Sequence, residues 1–369
     1  MTRRITPETL FWVVLTLIAL IGTALRLAGI SALPKGLYLD EAANLMDGLQ
    51  NEEGIQYALF FPDVYGRGLV QEGLFTNLQM LSIQVLGPSV TAIRVPAVVA
   101  GILTILGTGW LAREALQSRA GGIFAAALVA SAYWPLNFSR IAFSAALLPA
   151  VLAPAVSAFM VAVRRRSSSW SAVSGGLFAL TLYTYAASRV TPLFLAIIGA
   201  FLVLSRRPLD SRRKLQVVSF FTAFAVSALP FIIGLLRNPG AINRRAQSVS
   251  IQWAGDLPTL FGVISENLGY ALGKYVFFAD PNYRHGFSPF PVLDYATGAL
   301  FIAGALLAIC TLVSGRSTLS DSSLLRQRVL GAVVLISGLL VFLLPEVLSN
   351  DSNPHALRSI GTMPFVFAL

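Results

Sequence analysis

The chain alternates long apolar runs with short charged stretches. Ten apolar segments are visible, at roughly 10–30, 89–112, 120–137, 143–163, 170–187, 190–205, 217–236, 295–314, 329–347 and 358–369. Eight are strong and two are weaker. Most approach the ~20 residues with which a helix crosses a bilayer core. The pattern predicts an all-α polytopic membrane protein. The last run, "RSIGTMPFVFAL", stops too early to cross, so a C-terminally truncated chain is expected.

The charges between the runs give the expected orientation. With the N-terminus inside, the inner loops hold Arg3, Arg4, Arg113, Arg119, Arg164–Arg166, Arg206, Arg207, Arg212, Arg213, Lys214, Arg316, Arg326 and Arg328. Only four acids share that side, Glu8, Glu114, Asp210 and Asp321. The outer segments carry slightly more acids than bases. This is the positive-inside pattern, and the reverse orientation breaks it. The first run is long, and no clear small-residue cleavage site follows Arg26, so it reads as a retained helix and not a signal peptide.

Composition agrees. The 369 residues are 56% hydrophobic and only 12% charged. That excludes an ordinary soluble, disordered or fibrous chain. The net charge of +10 is sorted by topology and does not point to nucleic acid. The lone Cys310 permits no intrachain disulfide and reads as a small core hydrophobe. No internal repeat supports an inverted-repeat transporter, and no linker marks a second domain. The chain reads as a single transmembrane domain, residues 1–369, with long outer loops at 31–88 and 237–294.

The first outer loop carries Asp40, Glu41, Asp47, Glu52, Glu53, Asp63 and Glu72. Adjacent residues on a helix or strand point in different directions, so Asp40 and Glu41 are expected to do different work. The stretch "DEAANLMDGL" predicts a short helix capped by Asp40. In "GLFTNLQMLSIQVLG", Leu74, Leu78, Leu81 and Val85 fall at helical spacing, which predicts an interfacial helix. Arg94 lies inside a predicted span, where charge is costly, and it either serves function or pairs with a carboxylate of the acidic loop.

Taken in order, these residues resemble the GT-C glycosyltransferases. The likeness is to the family 39 group of protein O-mannosyltransferases and bacterial relatives, including the lipid A aminoarabinose transferases. It rests on "GLYLDEA" after the first helix, then "EGLF". Next come Arg94, Pro96, Gly101 and Thr104 of an "R-x-P-x-x-x-x-G-x-x-T" helix, and Ser139 with Arg140. Later elements are Tyr183, Tyr185, Arg189 and Pro192; Arg284, His285, Pro291 and Asp294; and Pro354, His355, Arg358 and Pro364. The resemblance implies a GT-C-type bundle of about nine or ten transmembrane helices, with a long first extracytoplasmic loop bearing interfacial helices. It implies inverting transfer of a monosaccharide from a polyprenyl-phosphate donor to a protein, lipid or glycan acceptor on the outer face. The bacterial inner membrane is the expected location, with the active site facing the periplasm.

In this reading Asp40 is the general base and Glu41 supports it. Arg140, Arg189, Arg284 and Arg358 are candidates for the lipid phosphate, since guanidinium is permanently charged and suits a phosphate. Arg94, His285 and His355 join the candidate set. Tyr183 and Tyr185 could stack on a sugar. No cofactor is certain; a divalent metal on Asp40 or Glu41 is the open possibility, and the two histidines show no metal spacing with each other. Many family members carry an acid four or five residues past the "SR" arginine, where this chain has Ser144 and Ala145. The competing readings are a lipid-linked sugar flippase and an inactive, truncated family member.

Overall fold

The computed structural model describes residues 6–49, 55, 57–62, 70–205, 210–237, 250–251, 256–287, 289–317, 323–350 and 353–369. Seven helices there are long and apolar enough to cross a membrane. Six of them are α1 (Pro7–Leu27), α4 (Val90–Leu116), α7 (Leu147–Arg165), α10 (Ser211–Arg237), α12 (Tyr295–Ser317) and α13 (Ser323–Val347). The seventh is α9 (Thr191–Leu204) with the 3-10 turn Ala186–Val190 that leads into it.

Three predicted spans are helical but shorter. The run at 120–137 is broken into α5 (Arg119–Ser131) and α6 (Tyr133–Phe138), with Ala132 extended between them. The run at 170–187 is α8 (Ser168–Thr181), 14 residues long, followed by the turn at 186–190. The final run forms a 3-10 turn and α14 (Met363–Ala368), fully buried. Short elements also fill the outer loops: α2 (Leu39–Leu49), α3 (Leu74–Leu86), α11 (Leu257–Gly273) and a two-stranded antiparallel ribbon of β1 (Phe60–Pro62) and β2 (Val70–Glu72). The acids Glu52, Glu53 and Asp63 lie outside the described residues.

Burial separates centre from rim. The span ending in α7 is 83% buried, while α10 and α12 are only 11% buried. One apolar core runs from Phe11 through Leu152 and Phe342 to Ala368. Small residues let the helices approach closely, as membrane packing favours. A Cβ on Gly122 of α5 would stand 2.5 Å from the Gly109 carbonyl of α4. Cys310, expected in the core, is instead exposed on the rim helix α12, because the bundle leaves that helix little covered.

The ion pairs respect the two ends that the charge pattern defines. Arg113 binds Glu8, Arg164 binds Glu114 and Arg166 binds Asp210 at one end. Arg94–Glu41, Arg189–Glu72, Lys274–Glu346 and Arg284–Asp40 lie at the other. Among the described residues no ion pair mixes the ends.

Two arginines, Arg26 buried and Arg140 partly exposed, satisfy helix ends reciprocally. Arg26 of α1 donates to the carbonyls of Val129 and Ala130, where α5 breaks. Arg140 donates to the carbonyls of Leu25, Ala28 and Leu33, where α1 ends. Terminal carbonyls of a helix lack intrahelical partners, and a guanidinium supplies several donors at once.

Helix α3 forms as predicted, with Leu74 and Leu78 of its stripe packed against the core and Leu81 and Val85 turned outward. Leu81, Val85 and Leu86 are exposed, while Thr76 and Gln79 are buried with Phe75 and Met80. The polar face has partners inside. Asn77 exchanges two hydrogen bonds with the backbone of Ala58, and Gln79 donates to the Ile93 carbonyl. An exposed apolar end, with polar side chains among the buried ones satisfied inside, suits a helix lying against lipid.

Candidate active site

The site begins with the first turn of α2. Tyr38 is its N-cap, and its carbonyl accepts the first helical bond, from Ala42. Glu41 stands three positions on and reaches back to accept from the Tyr38 N–H at 3.0 Å. This is the acid half of a capping box. Asp40 is therefore inside the helix and is not the cap that the sequence suggests; the cap lies two residues earlier because Glu41 supplies the reach-back bond.

The helix then divides the two carboxylates. Glu41 faces inward and is fully buried. Its oxygens accept from Arg94 Nε at 2.9 Å, Arg94 Nη2 at 3.1 Å and the Ala142 N–H at 2.8 Å. Arg94, also fully buried, donates further to the carbonyls of Ile30, Pro34 and Gly36. One guanidinium on α4 thus holds the whole entry to the first outer loop. Of the two roles open to Arg94, the structure shows the pairing with the acidic loop. Glu41 is fully buried in these bonds and does not line the cleft described next.

Asp40 faces the other way. It lies on one face of α2 with Ala43, Asn44 and Asp47, and this face lines a cleft of about 90 Å3. Val70, Gln71 and Glu72 of β2 form a second wall. Tyr185, Ala186 and Arg189, from the turn before α9, form a third, with Phe143, Ser144, Ala145 and Leu357 completing it. Asp40 is half exposed and pairs with Arg284 Nη1 at 2.6 Å. Arg189 donates to Glu72 Oε1 at 2.9 Å, and Gln71 donates to Asp47. The cleft combines carboxylates with two guanidiniums at its edge. Ser144 and Ala145 lie inside it.

The remaining candidates divide into two groups. Tyr185 and Arg189 line the cleft with Asp40; Arg284 reaches its rim through that carboxylate; Arg358 directly follows the lining residue Leu357. Arg140 is engaged with the end of α1, as described above. Tyr183 is engaged with α10. Its hydroxyl donates to the Ser227 carbonyl at 2.8 Å and accepts from the Phe231 N–H at 3.0 Å. Those two groups stand four residues apart beside Pro230, so the phenol inserts into the helical ladder there.

His285 and His355 are buried away from solvent, with ring centroids 4.6 Å apart. Asp280, which the sequence did not single out, joins them. Its Oδ2 lies 3.2 Å from His285 Nδ1 and accepts from the Ala356 N–H, while Oδ1 accepts from the Asn282 N–H. Burial pushes the Asp280 carboxyl up, and the contact with His285 and those N–H groups pull it down further, leaving it below the usual range. The only signal in sequence was a histidine five residues past an aspartate. Asp40 and Glu41 diverge and each meets an arginine, so they do not converge on a common point for a metal.

Seven long apolar helices packed about a buried α4–α7 centre, with an acidic cleft over one end, make a polytopic helical membrane protein. The family model for dolichyl-phosphate-mannose-protein mannosyltransferase matches residues 74–233. The Archaeoglobus fulgidus oligosaccharyltransferase in its apo form superposes with a TM-score of 0.58 at 14% identity, over 98% of this chain and 50% of that one. The same archaeal enzyme, AglB, in complex with an inhibitory peptide and a dolichol-phosphate gives 0.57 at 15% identity, with 98% and 50% covered. ArnT from Cupriavidus metallidurans bound to undecaprenyl phosphate gives 0.47 at 15% identity, with 98% and 76% covered. No curated protein sequence matches. The chain spans about half the length of these archaeal enzyme chains. It shares the fold of the archaeal oligosaccharyltransferase over nearly its whole length.

Proposed function

We propose that the chain transfers a monosaccharide from a polyprenyl-phosphate donor to an acceptor hydroxyl at the outer face of the membrane, with inversion. The observation that carries this reading is the Asp40 carboxylate, held at the edge of an open cleft and paired with Arg284 at 2.6 Å. A mannosyltransferase family model over residues 74–233 supports the reaction class. The dolichol-phosphate in a structure of the same fold supports a lipid-phosphate donor.

Asp40 is the general base. Aspartate is ionised at neutral pH and can take the proton from an acceptor hydroxyl as that oxygen attacks the anomeric carbon. The bond between that carbon and the phosphate oxygen breaks, and the polyprenyl phosphate leaves with the electron pair. Arg284, on the Asp40 carboxylate, and Arg189, in the cleft wall, meet the growing negative charge, the largest contribution in many transfer reactions. Glu41 and Arg94 hold α2 so that Asp40 keeps its aim. Arg140 and Tyr183 act at a distance, through α1 and α10.

The test is a donor assay in membranes from cells expressing the chain. Labelled undecaprenyl-phosphate hexoses are supplied to wild type and to Asp40→Asn. Loss of sugar from the lipid with wild type alone supports the reading, and the labelled product identifies the acceptor class. Equal turnover by Asp40→Asn would remove the base from the mechanism.

A further inference from the structure

Three buried side chains meet outside the cleft, and the proposed transfer does not use their shared chemistry. Asp280, His285 and His355 each offer a ligand atom, and these atoms lie within 4.8 Å of one another. The residues are 1%, 1% and 8% exposed. His285 Nδ1 and Asp280 Oδ2 stand 3.2 Å apart. Two ligands bound at about 2.0–2.1 Å to one tetrahedral ion stand about 3.3 Å apart, so the spacing suits a shared ion.

The donors are also held in place. The Phe138 ring stacks on His285 with centroids 5.9 Å apart. The Asn282 and Ala356 N–H groups fix Asp280. Glu346, paired with the buried Lys274, accepts from the His355 N–H at 2.8 Å. Pre-oriented ligands with bonded outer partners are the usual setting of a metal site. Two imidazoles and one carboxylate suit zinc, whereas magnesium and calcium favour all-oxygen sets.

We propose that Asp280, His285 and His355 bind a divalent transition-metal ion of the zinc class. The ion would tie the segment before α12 to the segment after α13. Arg284 adjoins His285, and the Asn137 side chain donates to the Arg284 carbonyl. The ion therefore steadies the loop that delivers Arg284 to Asp40. Zinc binding does not depend on the transfer reaction, so the two readings stand or fall separately.

The full chain, carrying an affinity tag without histidine, is purified in detergent, stripped with a chelator and titrated with zinc chloride alone. The expected result is one zinc ion retained per chain through desalting, with a raised thermal unfolding midpoint. Magnesium produces neither change. His355→Gln and Asp280→Asn each weaken zinc binding by at least about tenfold, while Asp40→Asn binds zinc as wild type does. A stripped wild-type chain that retains no zinc and shows no midpoint shift overturns the proposal, and this arm needs no variant. Undiminished zinc in both His355→Gln and Asp280→Asn, each eluting as a folded species, overturns it too.

Discussion

Arg284 places Nη1 2.6 Å from Asp40 Oδ2, across 244 positions of sequence. The pair is partly open, with side-chain exposures of 28% and 50%. Exposed pairs of this kind contribute about 0–1 kcal/mol to stability, so little is lost on folding when the pair is broken. Asp40→Asn is expected to lower sugar transfer by roughly a hundredfold or more, the usual loss for a positioned base. Its thermal unfolding midpoint in detergent should match wild type. A large drop in midpoint would show that Asp40 is structural.

Glu41 and Arg94 present the opposite case. Both are fully buried, and removing one partner strands a charge at a cost of about 3–5 kcal/mol. Glu41→Gln and Arg94→Met are each expected to reduce the folded yield sharply. Thermal unfolding of the solubilised chains measures this. Wild-type midpoints in both variants would contradict the role of Arg94 in anchoring the loop.

Tyr183 should behave as a structural residue and Tyr185 as a site residue. Tyr183→Phe removes the hydroxyl from the Ser227–Phe231 step of α10 and is expected to cost about 1 kcal/mol. The apparent affinity for the donor should stay at the wild-type value. Tyr185→Ala, in the cleft, should raise the donor KM. Kinetics on the two variants side by side decide this, and the reverse pattern counts against the placement of the cleft.

Asp294 carries a pH dependence. The Thr297 hydroxyl donates to its carboxylate at 2.6 Å, and the N–H groups of Thr297 and Ala296 add further bonds. These contacts, led by the Thr297 side chain, hold the carboxyl below its usual range. A carboxyl lowered in the folded state contributes stability that is present above its unfolded pKa of about 3.9 and is lost as pH falls through the folded value. Wild type should therefore exceed Asp294→Asn in unfolding midpoint at neutral pH, with the gap closing in acid. A gap that is constant with pH would rule out this cap as its source.

The helices were legible along the chain because crossing a bilayer sets a length and an apolar composition that any window can read. The same reading overstated 120–137 and 170–187. Ala132 turns the backbone out of the helix, and Arg26 satisfies the freed carbonyls from 104 residues away. The helical spacing of α3 was visible, but spacing does not say that Leu74 and Leu78 meet protein while Leu81 and Val85 turn away from it. Asn77 and Gln79 decided that by finding backbone partners inside.

The sequence by itself determined the class of the molecule, the division of charge between its two ends and the divergence of Asp40 from Glu41. Each of these follows from local rules: bilayer thickness, the sorting of arginine by side, and the angular step of a helix. Only the tertiary structure decided which arginine meets which acid. Arg94 closes on Glu41, Arg284 on Asp40, and Asp280 draws His285 and His355 into one cluster. Those partners come from distant segments, and their meeting depends on how the helices pack, which no local pattern encodes.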